Sequence, residues 1–156
     1  MKTMLCLILH FLSLMNLAID KDEFYSTLSG QDIQGINKLI IELEQQDPST
    51  INNAYRGALL TKKAAFEVNA VKKIKTFKTG VQLLETEIEN FPNQTEYRFL
   101  RLSIQEHCPD ILNYNKNIAE DVQVITNNFS KQSEKLKKII SNYAKKSSTL
   151  QSALIK

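Results

Sequence analysis

A chain of 156 residues, 42% hydrophobic and 24% charged, is long enough for one packed domain and too apolar to stay disordered. Four glycines and three prolines leave little turn-forming capacity, which argues for helices and against a many-stranded sheet. The formal net charge is +3 and seventeen of the twenty basic residues are lysine, a balance too mild and too poor in arginine for a surface that reads nucleic acid.

Lys2 precedes an apolar run from Leu5 to Leu14, and Ala18 stands before the charged residues that follow. This pattern predicts a secretory signal peptide over residues 1–18, cut near Ala18, and an exported protein, periplasmic or extracellular. The alternative, a membrane anchor, needs roughly 20 apolar residues, and the run is shorter and interrupted by His10, Ser13 and Asn16. Cleavage leaves a single helical domain over 19–156 with one cysteine, Cys108, and one histidine, His107. An internal disulfide is then impossible, and no Cys-His spacing suits a metal ion. No cofactor motif is present: the chain lacks a P-loop, a dinucleotide fingerprint, H-E-x-x-H and G-x-S-x-G.

The predicted elements follow in order. A short first helix over 19–30 carries Phe24, Tyr25 and Leu28 and ends at Gly30. Asp32 caps a second, whose Ile33, Ile36, Leu39, Ile40 and Leu43 keep the three-and-four rhythm of one buried face, and Pro48 stops it. Ser49 or Thr50 caps a third, about 50–68, with Ala54, Gly57, Ala58, Ala64 and Ala65 as a small-residue face that lets a neighbouring helix come close. Residues 67–80 are either continuous helix or broken near Asn69. A fourth helix spans about 76–90, with Phe77, Gly80, Val81, Leu84 and Ile88 inward, and Pro92 follows it. The fifth, about 95–107, is apolar nearly all round, which places it at the centre of the fold; Pro109 closes it. Asn115 or Asn117 caps a sixth to about 128, and a last helix runs from about 130 or 133 to 154. The fold class is all-α: an antiparallel helix-hairpin stack, tetratricopeptide-like, of about six to seven helices. Gly80, Leu84 and Pro92 fit a tetratricopeptide frame, although the prolines Pro48 and Pro92 lie 44 residues apart instead of 34.

Residues 50–125 resemble a family of uncharacterised exported helical proteins, many from Gram-negative bacteria of the Bacteroidetes group. The stretches "AYRGALLTKKAAF", "FKTGVQLLETEIENFPNQTEYRFLRLSIQ" and "ILNYNKNIAEDV" carry the likeness. Its matching positions include Phe77, Gly80, Glu85, Pro92, Glu96, Arg98, Arg101, Gln105, Pro109, Tyr114 and Asp121. The chain departs at Asn113, where glycine is usual, and at His107-Cys108. The resemblance implies export and a helical fold, not a chemistry.

Arg98 and Arg101 are the informative charges. A lone buried guanidinium costs several kcal/mol (order of magnitude), so arginines on a central helix need acids, and Glu96, Glu106, Asp110, Glu120 and above all Asp121 are the available partners. The reading is an ion-pair network locking the fifth helix to the sixth; the functional alternative is an anion-recognising groove. Arg98, Arg101, Tyr97, Tyr114 and Asp121 are therefore the candidate residues for a ligand or for that network. The function expected is binding of a protein or peptide in a groove between helix hairpins. Two rivals stand beside it: an enzyme using Cys108, His107 and Asp121, and a carrier with a central apolar cavity. The ordinary reading of Cys108 is a small buried hydrophobe. The lysine-rich stretches 60–78 and 130–156 read as solvated helix faces, and contact of the C-terminal helix with a membrane surface is the lesser use of its amphipathic pattern.

Overall fold

In the computed structural model, which describes residues 19–154, the chain is helical throughout its regular elements. The expected signal segment lies outside the described residues. Eight α-helices follow in order: α1 (Lys21–Ser29), α2 (Ile33–Gln45), α3 (Thr50–Ala64), α4 (Ala70–Asn90), α5 (Thr95–Gln105), α6 (Ile118–Asn128), α7 (Glu134–Ala144) and α8 (Ser148–Leu154). Single 3-10 turns occupy Asp110–Leu112 and Phe129–Lys131. The fold is all-α, with one helix more than the sequence suggested.

The extra helix has a specific cause. Apolar rhythm runs unbroken from Leu136 to Leu154, yet the chain turns after Ala144. Ser147 Oγ accepts the Leu150 N–H at 2.9 Å and donates to Glu106 Oε1 at 2.7 Å. A distant carboxylate thus recruits Ser147 as a cap, and the serine opens α8 instead of continuing α7.

Elsewhere the boundaries follow local chemistry. The side chains of Asp20, Asp32, Ser49, Asn69 and Ser133 each accept a backbone N–H at the start of the helix that follows. Asn69 resolves the ambiguous stretch as a break. Consequently α3 stops at Ala64, and α4 begins six residues earlier than its apolar face indicates. Asn113 has φ 51°, a left-handed conformation that asparagine tolerates, so the departure from glycine keeps the turn.

α3 and α4 pack with their backbones nearly touching. A Cβ on Gly80 would lie 2.6 Å from the Gly57 carbonyl oxygen and 2.7 Å from the Thr61 nitrogen. Two buried clusters make the core. The first joins Phe24, Ile36, Leu39, Leu59, Leu84 and Leu100 among others from α1 to α5. The second gathers Phe99, Leu102, Ile125, Leu136, Ile140 and Leu150 from α5 to α8. α5 feeds both, Tyr97 and Leu100 on one side and Phe99 and Leu102 on the other. Each such leucine, wholly withdrawn from water, contributes about 1.5–3 kcal/mol. Among the described residues no helix is long and apolar enough to cross a membrane.

Candidate functional site

Because α5 is surrounded, most of its polar side chains find partners inside the protein, and its charged ones, together with Glu106 just beyond it, make three carboxylate centres; Gln105 Oε1 is the exception, buried without a partner. At its amino end Glu96 receives Tyr55 Oη at 2.6 Å, Tyr25 Oη at 3.2 Å and the Lys21 ammonium. Burial, and then the Glu96 charge, push both tyrosine hydroxyls far above their usual range, so they stay protonated donors.

In the middle sits the arginine network. Asp121, 0% exposed, accepts Arg101 Nε at 2.8 Å, Arg101 Nη2 at 2.6 Å and Arg98 Nη1 at 3.0 Å. Arg98 Nε donates to the Pro92 carbonyl at 2.6 Å, which ties the turn before α5 to the helix. Arg101 Nη1 reaches Glu85 of α4 at 2.8 Å, and Glu120 Oε1 lies 2.9 Å from Arg98. Glu85 also accepts the Tyr114 hydroxyl, fastening the 109–114 turn to α4. Burial pushes the Asp121 carboxyl above its ordinary value, and the hydrogen bonds it accepts from Arg101 and Arg98 offset only part of that rise. Burial likewise works against the Arg101 charge, but Asp121 and Glu85 outweigh it and hold the guanidinium above its ordinary value.

The third centre is Glu106, just past α5. It accepts Tyr143 Oη at 2.5 Å, Ser147 Oγ at 2.7 Å and the Thr149 hydroxyl. Burial alone would raise this carboxyl, but the donors from Thr149, Tyr143 and Ser147 leave it below the usual glutamate range.

These geometries place each sequence-derived candidate. Arg98, Arg101 and Asp121 are interior and committed to one another. Tyr97 is buried, with its hydroxyl 2.9 Å from Thr50 Oγ1. Tyr114 alone of the five is partly exposed, its ring set edge-on against Phe77 at 5.8 Å. An anion seeking the guanidiniums would have to displace Asp121, an acceptor already bound by three charge-assisted hydrogen bonds. Glu85 is a partner beyond the acids expected from the sequence, and its place beside Leu84 at the edge of the buried face of α4 is the sequence signal for it.

The residues of the thiol rival have separate partners. His107 Nδ1 lies 2.9 Å from the Ser103 carbonyl, and the Cys108 thiol faces the Pro109 carbonyl at 3.7 Å. Cys108 is half-buried, not interior as its residue type suggested, because it lies beyond the last turn of α5 on the exposed 107–111 segment. Burial pushes its thiol up, away from the reactive thiolate. Among the depressions on the surface of the described residues, one is lined by Ile33, Asn37, Lys63, Phe66 and Glu67 and another by residues 90–94. None of the five candidate residues lines either.

The lysine-rich stretch 60–78 is not solely a solvated charged face: apolar side chains are exposed on it, as they are at Ile41, Phe91 and Ile111 elsewhere. Val68 is 100% exposed, Val71 76% and Ile74 45%, all at the amino end of α4, and Ile111 is 91% exposed on the turn that Tyr114 fastens to α4. No protein-family model matches the chain, and neither a curated protein nor a solved structure matches it.

Proposed function

We propose that the chain is an exported, non-catalytic helical binding module that docks a protein or peptide segment on the α3–α4 edge and the adjoining 109–114 turn. The carrying observation is the exposure of Val71 and Ile74 one turn apart on α4, leading to the Phe77–Tyr114 contact, with Val68 exposed just before the helix and Ile111 on the turn that Tyr114 anchors, while the arginines of α5 are committed to internal acids. Aliphatic side chains left in water together are the ordinary mark of an interaction surface. The groove expected between hairpins moves accordingly, from the buried arginines to this edge. Export is supported by the charged and apolar opening of the sequence and by its resemblance to exported helical proteins. The close α3–α4 crossing at Gly57 and Gly80 supports a tetratricopeptide-like hairpin.

Selection of displayed random 16-residue peptides on the immobilised 19–156 chain tests the reading. Enriched peptides should bind the parent and lose at least tenfold in affinity for Val71→Ser/Ile74→Ser, whose unfolding midpoint should match the parent's because both residues touch water. Equal binding to that variant, or no enrichment over an unrelated helical protein, would overturn it.

A further inference from the structure

Resting on that reading, we infer that the segment docking there is an acidic amphipathic helix of a partner protein. α4 has 21 residues and α3 has 15, and they cross where Gly80 meets Gly57. From that crossing α4 runs ten residues back to Ala70, about 15 Å, whereas α3 runs seven on to Ala64, about 10 Å. The amino end of α4 therefore overhangs, and every residue from Val68 to Lys75 is exposed.

On that overhang Val71, Ile74 and Phe77 recur every third residue, a narrow apolar stripe that runs into the Phe77–Tyr114 contact. Lysines edge it on both sides, Lys75 and Lys78 along one and Lys73 along the other at 100° per residue. Lys72 lies in the first turn of the same helix, Lys62 and Lys63 in the last turn of α3 before it, and Glu67 is the one acid between residues 60 and 78. None of these six lysines makes an ion pair among the described residues, whereas Lys135 on α7 pairs with Asp20 and Asp22, and Lys137 with Glu134. The α7 face beneath its own lysines is buried through Leu136, Ile140 and Ala144, whereas the α4 lysines stand beside exposed apolar groups. Lys72 and Lys73 also sit in the first turn of α4, the helix end whose dipole disfavours cations.

An apolar stripe with cationic margins complements a helix with an apolar stripe and acidic margins. A bilayer fits less well, because the exposed groups are Val and Ile, the one aromatic of the stripe, Phe77, is buried, and Tyr114 is tied to Glu85.

The probe is a displayed library of 20-residue helices with leucine fixed at i, i+3, i+4 and i+7 and the other positions drawn from Glu, Lys, Gln and Ser. The enriched pool should be net acidic and lose at least tenfold in affinity between 50 and 300 mM salt, on the order expected for several exposed charge pairs. Lys72→Glu/Lys73→Glu/Lys75→Glu/Lys78→Glu should abolish binding, and Lys138→Glu/Lys145→Glu/Lys146→Glu should leave it unchanged. A neutral or basic pool that still needs Val71 and Ile74 overturns this inference and leaves the binding-module reading standing. A pool indifferent to Val71→Ser/Ile74→Ser overturns both. So does lysine-dependent sedimentation with phosphatidylglycerol vesicles, absent with phosphatidylcholine, when no helix is enriched.

Discussion

Asp121→Asn removes one charge from the most enclosed ion pair and leaves two guanidiniums facing an amide. The carboxylate is fully buried, and Arg98 and Arg101 beside it are 5% and 4% exposed, so neither recovers hydration when the charge goes. Removing one partner of a buried pair costs about 3–5 kcal/mol. Domains of this size are stable by about 5–15 kcal/mol, so the variant loses a large fraction of its margin. With a urea slope of about 1.5 kcal/mol/M, the midpoint followed by circular dichroism at 222 nm should fall by roughly 2–3 M. Arg101→Met should cost a similar amount, and the double variant should be less destabilised than the sum by about 2 kcal/mol. The exposed pair Lys38–Glu23, 61% and 49% exposed, is the internal comparison and should couple by less than about 1 kcal/mol. If Asp121→Asn costs no more than that surface pair, or if the double variant is additive, the network does not hold α5 to α6 and the argument from burial is wrong.

Three further outcomes are expected. Gly80→Ala should destabilise by about 1–3 kcal/mol, against the gain of up to about 1 kcal/mol an exposed helical glycine would give, because its Cβ meets backbone on α3; a rise in melting temperature would show that the helices slide apart at little cost. Glu106, held below the usual glutamate range in the folded chain, contributes stability that is present above the unfolded value of about 4.3 and is lost as pH falls through its lower folded value. Glu106→Gln should flatten that acid-side decline, and an unchanged slope of stability against pH would refute the assignment. The Cys108 thiol, pushed up by burial, should react with a disulfide reagent at pH 8 several-fold more slowly than a free cysteine, and Cys108→Ser should shift stability by no more than about 0.5 kcal/mol; labelling at or above the free rate would reopen the thiol chemistry.

Glu106 shows where sequence reasoning stops. The run Ser147-Ser148-Thr149 offers capping residues, but the apolar rhythm continues on both sides of it and outweighs that local hint. The break depends on a carboxylate 41 residues away. Glu85 is similar: its charge is visible in the sequence, but its meeting with Arg101 and Tyr114 depends on how α4, α5 and the 109–114 turn converge. The lysines look alike in sequence at both ends of the chain, yet Lys135 finds Asp20 at 2.7 Å and Lys73 finds no acid among the described residues.

By itself the sequence determined the all-helical class, the caps at Asp32 and Ser49, the proline stops and the central position of α5, because these are written in interactions spanning one or two turns; the cap expected at Asn115 or Asn117 makes no side-chain bond to α6. It also determined that Arg98 and Arg101 would need acids. Tertiary structure alone decided which acids, where the long C-terminal pattern breaks, and that the amino end of α4 stands clear of the body with Val68, Val71 and Ile74 in water. The division has one physical cause. Helical periodicity is a local property of the chain, whereas a long charged side chain or an exposed aliphatic one is given its meaning by neighbours tens of residues away.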